Sequence, residues 1–245
     1  VPPRIYADLA EWYTLLTTPA DYAEEAAWYQ ARILEHAERE VTTVLELGCG
    51  AGANASFLRA RFDMELVDLS EAMLAQCHRI NPGVPTHVGD MRTIRLPRRF
   101  DAVFAHDAVS YMLTALDVRA LAQTAAAHLE PGGVALLCPD DLRENYEDGT
   151  EDGGSDGPDG RGVRYLAWSH AGEADTVVTD YAIMLRDADG TMRVEHDRHV
   201  TGALPTDVWL EALRDAGLVA QRIALEHSEV PTDSHHVFVG VKPLT

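Results

Sequence analysis

The chain has 245 residues, 46% hydrophobic and 24% charged, a globular composition long enough to bury a sizeable core. Forty acidic residues against twenty basic ones leave a net charge of −20, and Lys242 is the sole lysine. A phosphate backbone or an anionic membrane surface calls for a positive face, so neither nucleic acid nor membrane is an expected partner.

The three cysteines, Cys49, Cys77 and Cys138, lack disulfide or metal spacing, and the histidines do not converge on one locus, so no metal site is expected. No apolar run reaches the length of a membrane span, and the first residues lack the pattern of a signal peptide. A cytoplasmic location is the expectation.

Residues 4–39 read as two amphipathic helices broken at 17–21, where Pro19 sits near a helix start. VTTVLEL (41–47) is a β-branched strand that stops at a glycine cluster. A helix over 53–61 follows, then strand MELVDL (64–69), then Ser70 as the N-cap of EAMLAQCHRI (71–80). Strands are predicted at PTHVGD (85–90) and FDAVFAH (100–106), a helix over 117–129, and strand VALLCP (134–139) after EPGG. This rhythm means a parallel sheet with helices on both faces.

The rhythm breaks at Asp140. Residues 140–160 hold nine acidic residues, one arginine and five glycines without apolar periodicity, which predicts a mobile loop and no core element. Three strand-like runs, 163–170, 176–187 and 191–200, then read as an antiparallel insertion, with a hairpin signal at 188–190. A helix over 206–216 ends at Gly217, and strands 218–226 and 235–243 follow. The domain division expected is a cap over 1–40, a nucleotide-binding body over 41–139 and 204–245, and a loop-and-lid insertion over 140–203.

Gly48-Cys49-Gly50-Ala51-Gly52 joins the first strand to its helix, and glycines there let the backbone turn sharply and approach a ligand. With Ala53 the loop also fits a dinucleotide fingerprint, so an NAD(P)-dependent oxidoreductase is an alternative, as is a purely structural turn. The acids that follow decide between them. Asp68 ends the second strand, where a carboxylate accepts from a ribose diol. Glu46 lies two residues before the first glycine, where it repels a pyrophosphate but suits an ammonium and a sulfonium. Asp90 ends the third strand, placed to accept from an adenine amine while Met91 covers the ring. Each alone fits an ordinary helix cap. Together they suit a cationic amino-acid nucleoside.

The motifs VLELGCGAG (44–52), LVDLSEAML (66–74), HVGDMR (87–92), FDAVFAHDAVSYM (100–112) and HLEPGGVALL (128–137) resemble a class I S-adenosylmethionine-dependent methyltransferase of the small-molecule branch. The resemblance implies an α/β fold: a Rossmann-like, seven-stranded methyltransferase sheet with N-terminal capping helices and an inserted antiparallel β layer. It also implies S-adenosylmethionine as cofactor. Glu46 and the Gly48 backbone would take the methionine ammonium, Asp68 the ribose, and Asp90 and Met91 the adenine. His106 would lie beside the methionine moiety, and Gly50 and Leu69 complete the set. YADLAEWY (6–13) and DYAEE (21–25) are similar to the capping helices of amino-sugar and glycine N-methyltransferase-like enzymes, where tyrosines close over the cofactor. That implies Tyr13 and Tyr22 as cofactor residues, although Thr14 stands where an Asp is usual and such spacing also fits helix packing.

Methyl transfer from a sulfonium is an in-line displacement, so the protein mainly aligns groups and removes a proton. His106 and Asp107 are the best-placed bases, and Tyr111 lies one helical turn on, as a substrate contact. In HDRH (196–199), alternation puts His196 and Arg198 on one face and Asp197 and His199 on the other, and either face could line the pocket. His199 is the third catalytic candidate, with Trp168 and Arg198 as substrate contacts. The expected activity is methylation of an amine or hydroxyl of a small-molecule acceptor, an amino sugar or related natural product first. A non-catalytic cofactor-binding module is the remaining alternative. Similar insertions can pair two copies, so a homodimer is among the expected assemblies.

Overall fold

The computed structural model describes residues 2–228 and 235–244. The first half of the chain supplies β1 (Thr43–Leu47), β2 (Asp63–Asp68), β3 (Thr86–Val88), β4 (Phe100–His106) and β5 (Leu129–Cys138). Next come β6 (Gly149–Gly153), β7 (Gly162–Ala171), β8 (Thr176–Arg186) and β9 (Met192–Gly202), then β10 (Val219–Ala224) and β11 (His236–Val241). Seven of these form one sheet in the order β10-β11-β5-β4-β1-β2-β3, with β11 antiparallel to both neighbours. The strand order reverses between β1 and β4, and the crevice at their carboxyl ends is where ligands of open α/β sheets bind.

Strand alternation divides the core between the two faces of the sheet. Leu45, Leu47, Val103, Ala105, Ala135 and Leu137 face α5 (Ala115–His128) and α6 (Thr206–Asp215), whose Trp209 is fully buried. Val44, Phe104, Val134 and Leu136 face α2 (Ala23–His36), α3 (Ala53–Leu58) and α4 (Glu71–Ile80). Glu46 and His106, in step with Val44 and Phe104, fall on this second face. Ser70 caps α4 as expected, accepting from the Met73 amide at 3.2 Å. The helix after the glycine loop is shorter than the 53–61 expected, and β5 starts earlier, taking in the EPGG segment.

The N-terminal segment departs from expectation. The first helix gives way to short turns at Arg4–Tyr6 and Ala10–Trp12 and a single turn, α1 (Tyr13–Leu16), before α2. Tertiary bonds replace helical ones here: Asp197 accepts from the amides of Arg4 (3.0 Å) and Ile5 (2.9 Å). Ile5, Leu9 and Trp12 then bury against Val163, Ile183 and Leu185 of the insertion. The cap and the inserted layer share one core.

Residues 140–160 also depart from expectation. Leu142 is buried in the main core, and β6 pairs with β7 at the edge of a four-stranded antiparallel sheet ordered β6-β7-β8-β9. Backbone pairing does not need apolar side chains, and an acidic edge strand resists further pairing. The outer face of this sheet exposes Leu166, Trp168, Met184 and Val194. Among the described residues, no helix is long and apolar enough to cross a membrane.

Candidate active site

The glycine loop turns under tight constraint. The amides of Gly48 and Cys49 both donate to Val67 O, at 2.7 and 2.9 Å, and the Gly50 amide donates to Asp68 Oδ2 at 2.8 Å. Gly48 has φ +73°, and a Cβ built on it would lie 2.4 Å from Ala108 Cβ and 2.6 Å from Met91 Cε. Only a glycine lets the turn after β4 and the Met91 side chain close over the loop this tightly. Asp68 Oδ1 accepts from the Ser70 amide at 2.8 Å, and burial raises its pKa above the usual carboxylate range despite these donors.

Glu46 is 4% exposed, and its Oε2 has no hydrogen-bond partner. Burial, with Cys77, Asp68 and Glu25 nearby, lifts its pKa to about 8, although His106 opposes the shift. A buried carboxylate oxygen without a donor, beside a glycine loop, is a receptor for a cation.

His106 continues the same face. Its Nε2 lies 2.9 Å from Asp107 Oδ1 and 3.5 Å from Glu25 Oε2. Asn54 Nδ2 donates to Glu25 at 3.0 Å and lies 3.3 Å from His106 Nδ1. Burial works against charge on the ring, but Asp107, Glu25 and the more distant Asp140 outweigh it and raise its pKa to about 9. Asp107 is itself held below the ordinary range, burial being overcome by His106. It has φ +47°, a conformation that costs a non-glycine residue about 1–3 kcal/mol and clusters at functional sites.

The tyrosines of the cap converge on this crevice. Tyr22 stacks edge-on to His106 at 6.3 Å and accepts from Thr17 Oγ1 at 3.3 Å, and burial raises the Tyr13 phenol to about 12. Tyr6 lies 5.9 Å from both Tyr13 and Tyr111, and Tyr111 Oη is 3.0 Å from His199 Nδ1. Of the residues predicted from sequence, Tyr13, Tyr22, Glu46, Gly48, Gly50, Asp68, His106 and Asp107 gather at the carboxyl ends of β1, β2 and β4. Tyr111 and His199 stand beside them through Tyr6.

The remaining predicted residues are placed differently. Asp90 is held by a two-pronged ion pair with Arg92, which also bonds Asp117, so its pKa is lowered. Leu69 is largely exposed, and Met91 lies against Gly48. Trp168 and Arg198 depart from expectation: alternation along β7 and β9 turns both to the outer face, where Trp168 is 59% exposed. Arg198 there pairs with Asp180 at 2.7 Å. The inner face had to be the one carrying Ala167, Tyr181, Asp197 and His199, because that face covers the cap.

Glu25, Asp140 and Asp197 were missed as site residues. Asp140 follows β5 directly, and strand-end position was the available signal. Glu25 entered the sequence reading only as the last residue of DYAEE (21–25), in the first turn of α2. A shallow surface pocket of about 220 Å³ between Arg59, Phe62 and Val84 lies by the start of β2, at the opposite end of that strand.

Fold and crevice together define an α/β enzyme that receives a cationic nucleoside, and comparison with known proteins narrows the class. Residues 44–133 match the family described as methyltransferase domain. The dTDP-3-amino-3,4,6-trideoxy-alpha-D-glucopyranose N,N-dimethyltransferase of Streptomyces venezuelae is 30% identical over 239 residues, 96% of this chain and 98% of that one. The crystal structure of Streptomyces venezuelae DesVI superposes with a TM-score of 0.83 at 28% identity, covering 97% of this chain and 98% of that one. CalS10, an amino pentose methyltransferase from Micromonospora echinaspora solved with S-adenosylmethionine bound, gives 0.76 at 28% identity, over 96% of each chain.

The chain belongs to the class I S-adenosylmethionine-dependent methyltransferases, in their small-molecule, amino-sugar N-methyltransferase branch. It is an enzyme that transfers methyl groups from S-adenosylmethionine to an amine or hydroxyl of a small metabolite.

Proposed function

We propose that the acceptor is the amine of an amino sugar and that the chain N-methylates it. The observation that carries this reading is the charge around the crevice. Glu25, Asp107 and Asp140 crowd the carboxyl ends of β4 and β5, and His106 pairs with the first two of them. Such a site attracts an ammonium more strongly than a neutral hydroxyl. Three sequence relatives are named as N,N-dimethyltransferases of dTDP-linked amino sugars, which supports the same class.

S-adenosylmethionine, when bound, supplies a methyl carbon on a cationic sulfur whose departure leaves a neutral thioether. The residues fit it. Glu46 Oε2 would take the methionine ammonium, and Asp68, already braced by the Gly50 and Ser70 amides, would hold the ribose. Tyr13 and Tyr22 would cover the methionine end. Asp90 would present to the adenine whatever lone pairs Arg92 leaves.

Asp68→Ala is expected to weaken S-adenosylhomocysteine binding on the order of 100-fold, from two charge-assisted hydrogen bonds to the ribose diol. Isothermal titration reads this, and unchanged affinity would remove Asp68 from the ribose site. The acceptor class is tested by a methyl-transfer screen of amino sugars, free and nucleotide-linked, against hydroxyl-only sugars, following S-adenosylhomocysteine release. Turnover of amino sugars alone is the expected result. Equal turnover of the hydroxyl sugars sinks the amine reading.

A further inference from the structure

Asp197 and His199 sit side by side on the inner face of β9, 4% and 7% exposed. A carboxylate buried this deeply needs donors for its lone pairs. Asp197 has four: Oδ1 accepts from the amides of Arg4 and Arg198, each at 3.0 Å, and Oδ2 from the Ile5 amide at 2.9 Å and His199 Nε2 at 3.2 Å. Burial pushes its pKa up, but these donors win and hold it below the ordinary range.

An ionised Asp197 fixes the ring beside it. With the Nε2 proton committed to the carboxylate, a neutral His199 carries its lone pair on Nδ1. Tyr111 Oη lies 3.0 Å from that nitrogen and must donate its proton there, because an imidazole lone pair can only accept. Tyr6 Oη, at 3.4 Å, is a second and more distant acceptor for the same phenol proton, and the shorter contact to Nδ1 takes it, leaving the lone pairs of the Tyr111 oxygen for the crevice. Burial raises the Tyr111 phenol above its usual value, so it stays protonated and able to donate. This is the arrangement of an acceptor, a base and an orienting carboxylate.

We propose that Tyr111, His199 and Asp197 form the relay that takes the proton from the acceptor amine. Tyr111 is the catalytic residue that meets the ammonium, and His199 and Asp197 act through it as positioning residues. One N–H bond of the ammonium breaks and its proton joins Tyr111 Oη. The Tyr111 O–H bond breaks and that proton joins His199 Nδ1, while the electron pair stays on nitrogen as the nucleophilic lone pair. The imidazolium so formed lies against the Asp197 carboxylate, and its proton returns to solvent by the reverse path. Asp107 is the weaker candidate for this step, because a carboxylate held below its ordinary range accepts a proton poorly.

The inference rests on the amine reading above. The titratable groups around the imidazole are Asp197 on its own strand, Tyr181 of β8 at 4.7 Å between ring centroids, Tyr111 from the turn after β4, and Tyr6 of the cap. Asp140, after β5, lies beyond Tyr111 and Tyr181.

Two measurements on the full chain test it. In ¹⁵N-histidine spectra with S-adenosylhomocysteine bound, His199 is expected as the Nε2–H tautomer, and Asp197→Asn is expected to release it into a mixture. A Nδ1–H tautomer in the parent overturns the relay. In methyl transfer to a 3-amino-3,6-dideoxyhexose, Tyr111→Phe and His199→Ala are each expected to lower kcat on the order of 10²–10⁴-fold. The double variant should fall no further than either single one. A purely structural clip on Arg4 and Ile5 would lower Tm in Asp197→Asn and leave the His199 tautomer in place. Additive losses, or single losses below about threefold, overturn the relay. Transfer to hydroxyl sugars but to no amine overturns the amine reading, whereas amine transfer with undiminished variants overturns the relay alone.

Discussion

Glu46→Gln is expected to abolish tight cofactor binding and, without cofactor, to make the protein more heat-stable than the parent above neutral pH. The Glu46 carboxyl ionises at about 8 in the folded chain against an ordinary 4.5. From the lower value to the higher one, the unfolded chain has lost this proton while the folded chain still holds it. Stability conferred by the protonated acid is therefore lost as pH rises through that window and is level beyond it, roughly a few kcal/mol at most. Glutamine carries no charge at any pH and has no such slope. The two proteins should melt alike near pH 5 and diverge by pH 8.5, the variant higher.

Cofactor binding runs the other way. An ammonium seated against Glu46 Oε2 favours the ionised acid, so affinity of the parent should rise toward pH 8 and binding at pH 7 should release a proton. Truncating one partner of a buried charge pair costs about 2–5 kcal/mol, so the variant should bind S-adenosylhomocysteine at least about 30-fold more weakly at pH 8. Titration calorimetry in buffers of different ionisation enthalpy measures both quantities. A melting difference that is flat between pH 5 and 9 would show that Glu46 is not an unpaired acid in the free protein.

Glu46 and Asp68 were legible as a neighbouring pair in the sequence because both sit at strand ends beside the glycine loop. Strand 41–47 had to stop at the glycines, and alternation then placed Glu46 beside the loop and Asp68 at the next strand tip. The acceptor half was less legible because facing in an inserted sheet depends on what it packs against. HDRH defines two faces, and only the docking of Ile5, Leu9 and Trp12 makes the Asp197–His199 face the inner one. Trp168 and Arg198 turned outward for that same reason. The N-terminal helix failed for a related cause: helical spacing of apolar residues was present, but the Asp197 carboxylate captures the amides of Arg4 and Ile5. β6 was invisible because its sequence is acidic and glycine-flanked, and backbone pairing with β7 alone orders it.

Gly48→Ala is expected to destabilise the chain by about 2–5 kcal/mol, the sum of a strained backbone and an overfilled contact. With φ +73° the backbone lies where an L-residue meets its own carbonyl. The added methyl would also lie 2.4 Å from Ala108 Cβ and 2.6 Å from Met91 Cε. Met91 can swing its terminal methyl aside. Ala108 cannot move without its backbone, and that backbone belongs to the turn between Asp107 and Tyr111. The substitution therefore reaches both halves of the crevice, through the loop at one end and the phenol at the other.

Gly83 supplies the control. It has φ +83°, and nothing lies within 4 Å of a Cβ built there, so Gly83→Ala carries backbone strain without a clash. For a chain of this length, 1 kcal/mol corresponds to about 2–4 °C in Tm. Gly83→Ala should fall by only a few degrees and keep its affinity for S-adenosylhomocysteine, whereas Gly48→Ala should fall roughly twice as far or more and bind weakly. Equal losses of Tm in the two variants would show that conformation alone requires glycine at position 48 and that closure of the β4 turn over the loop does not.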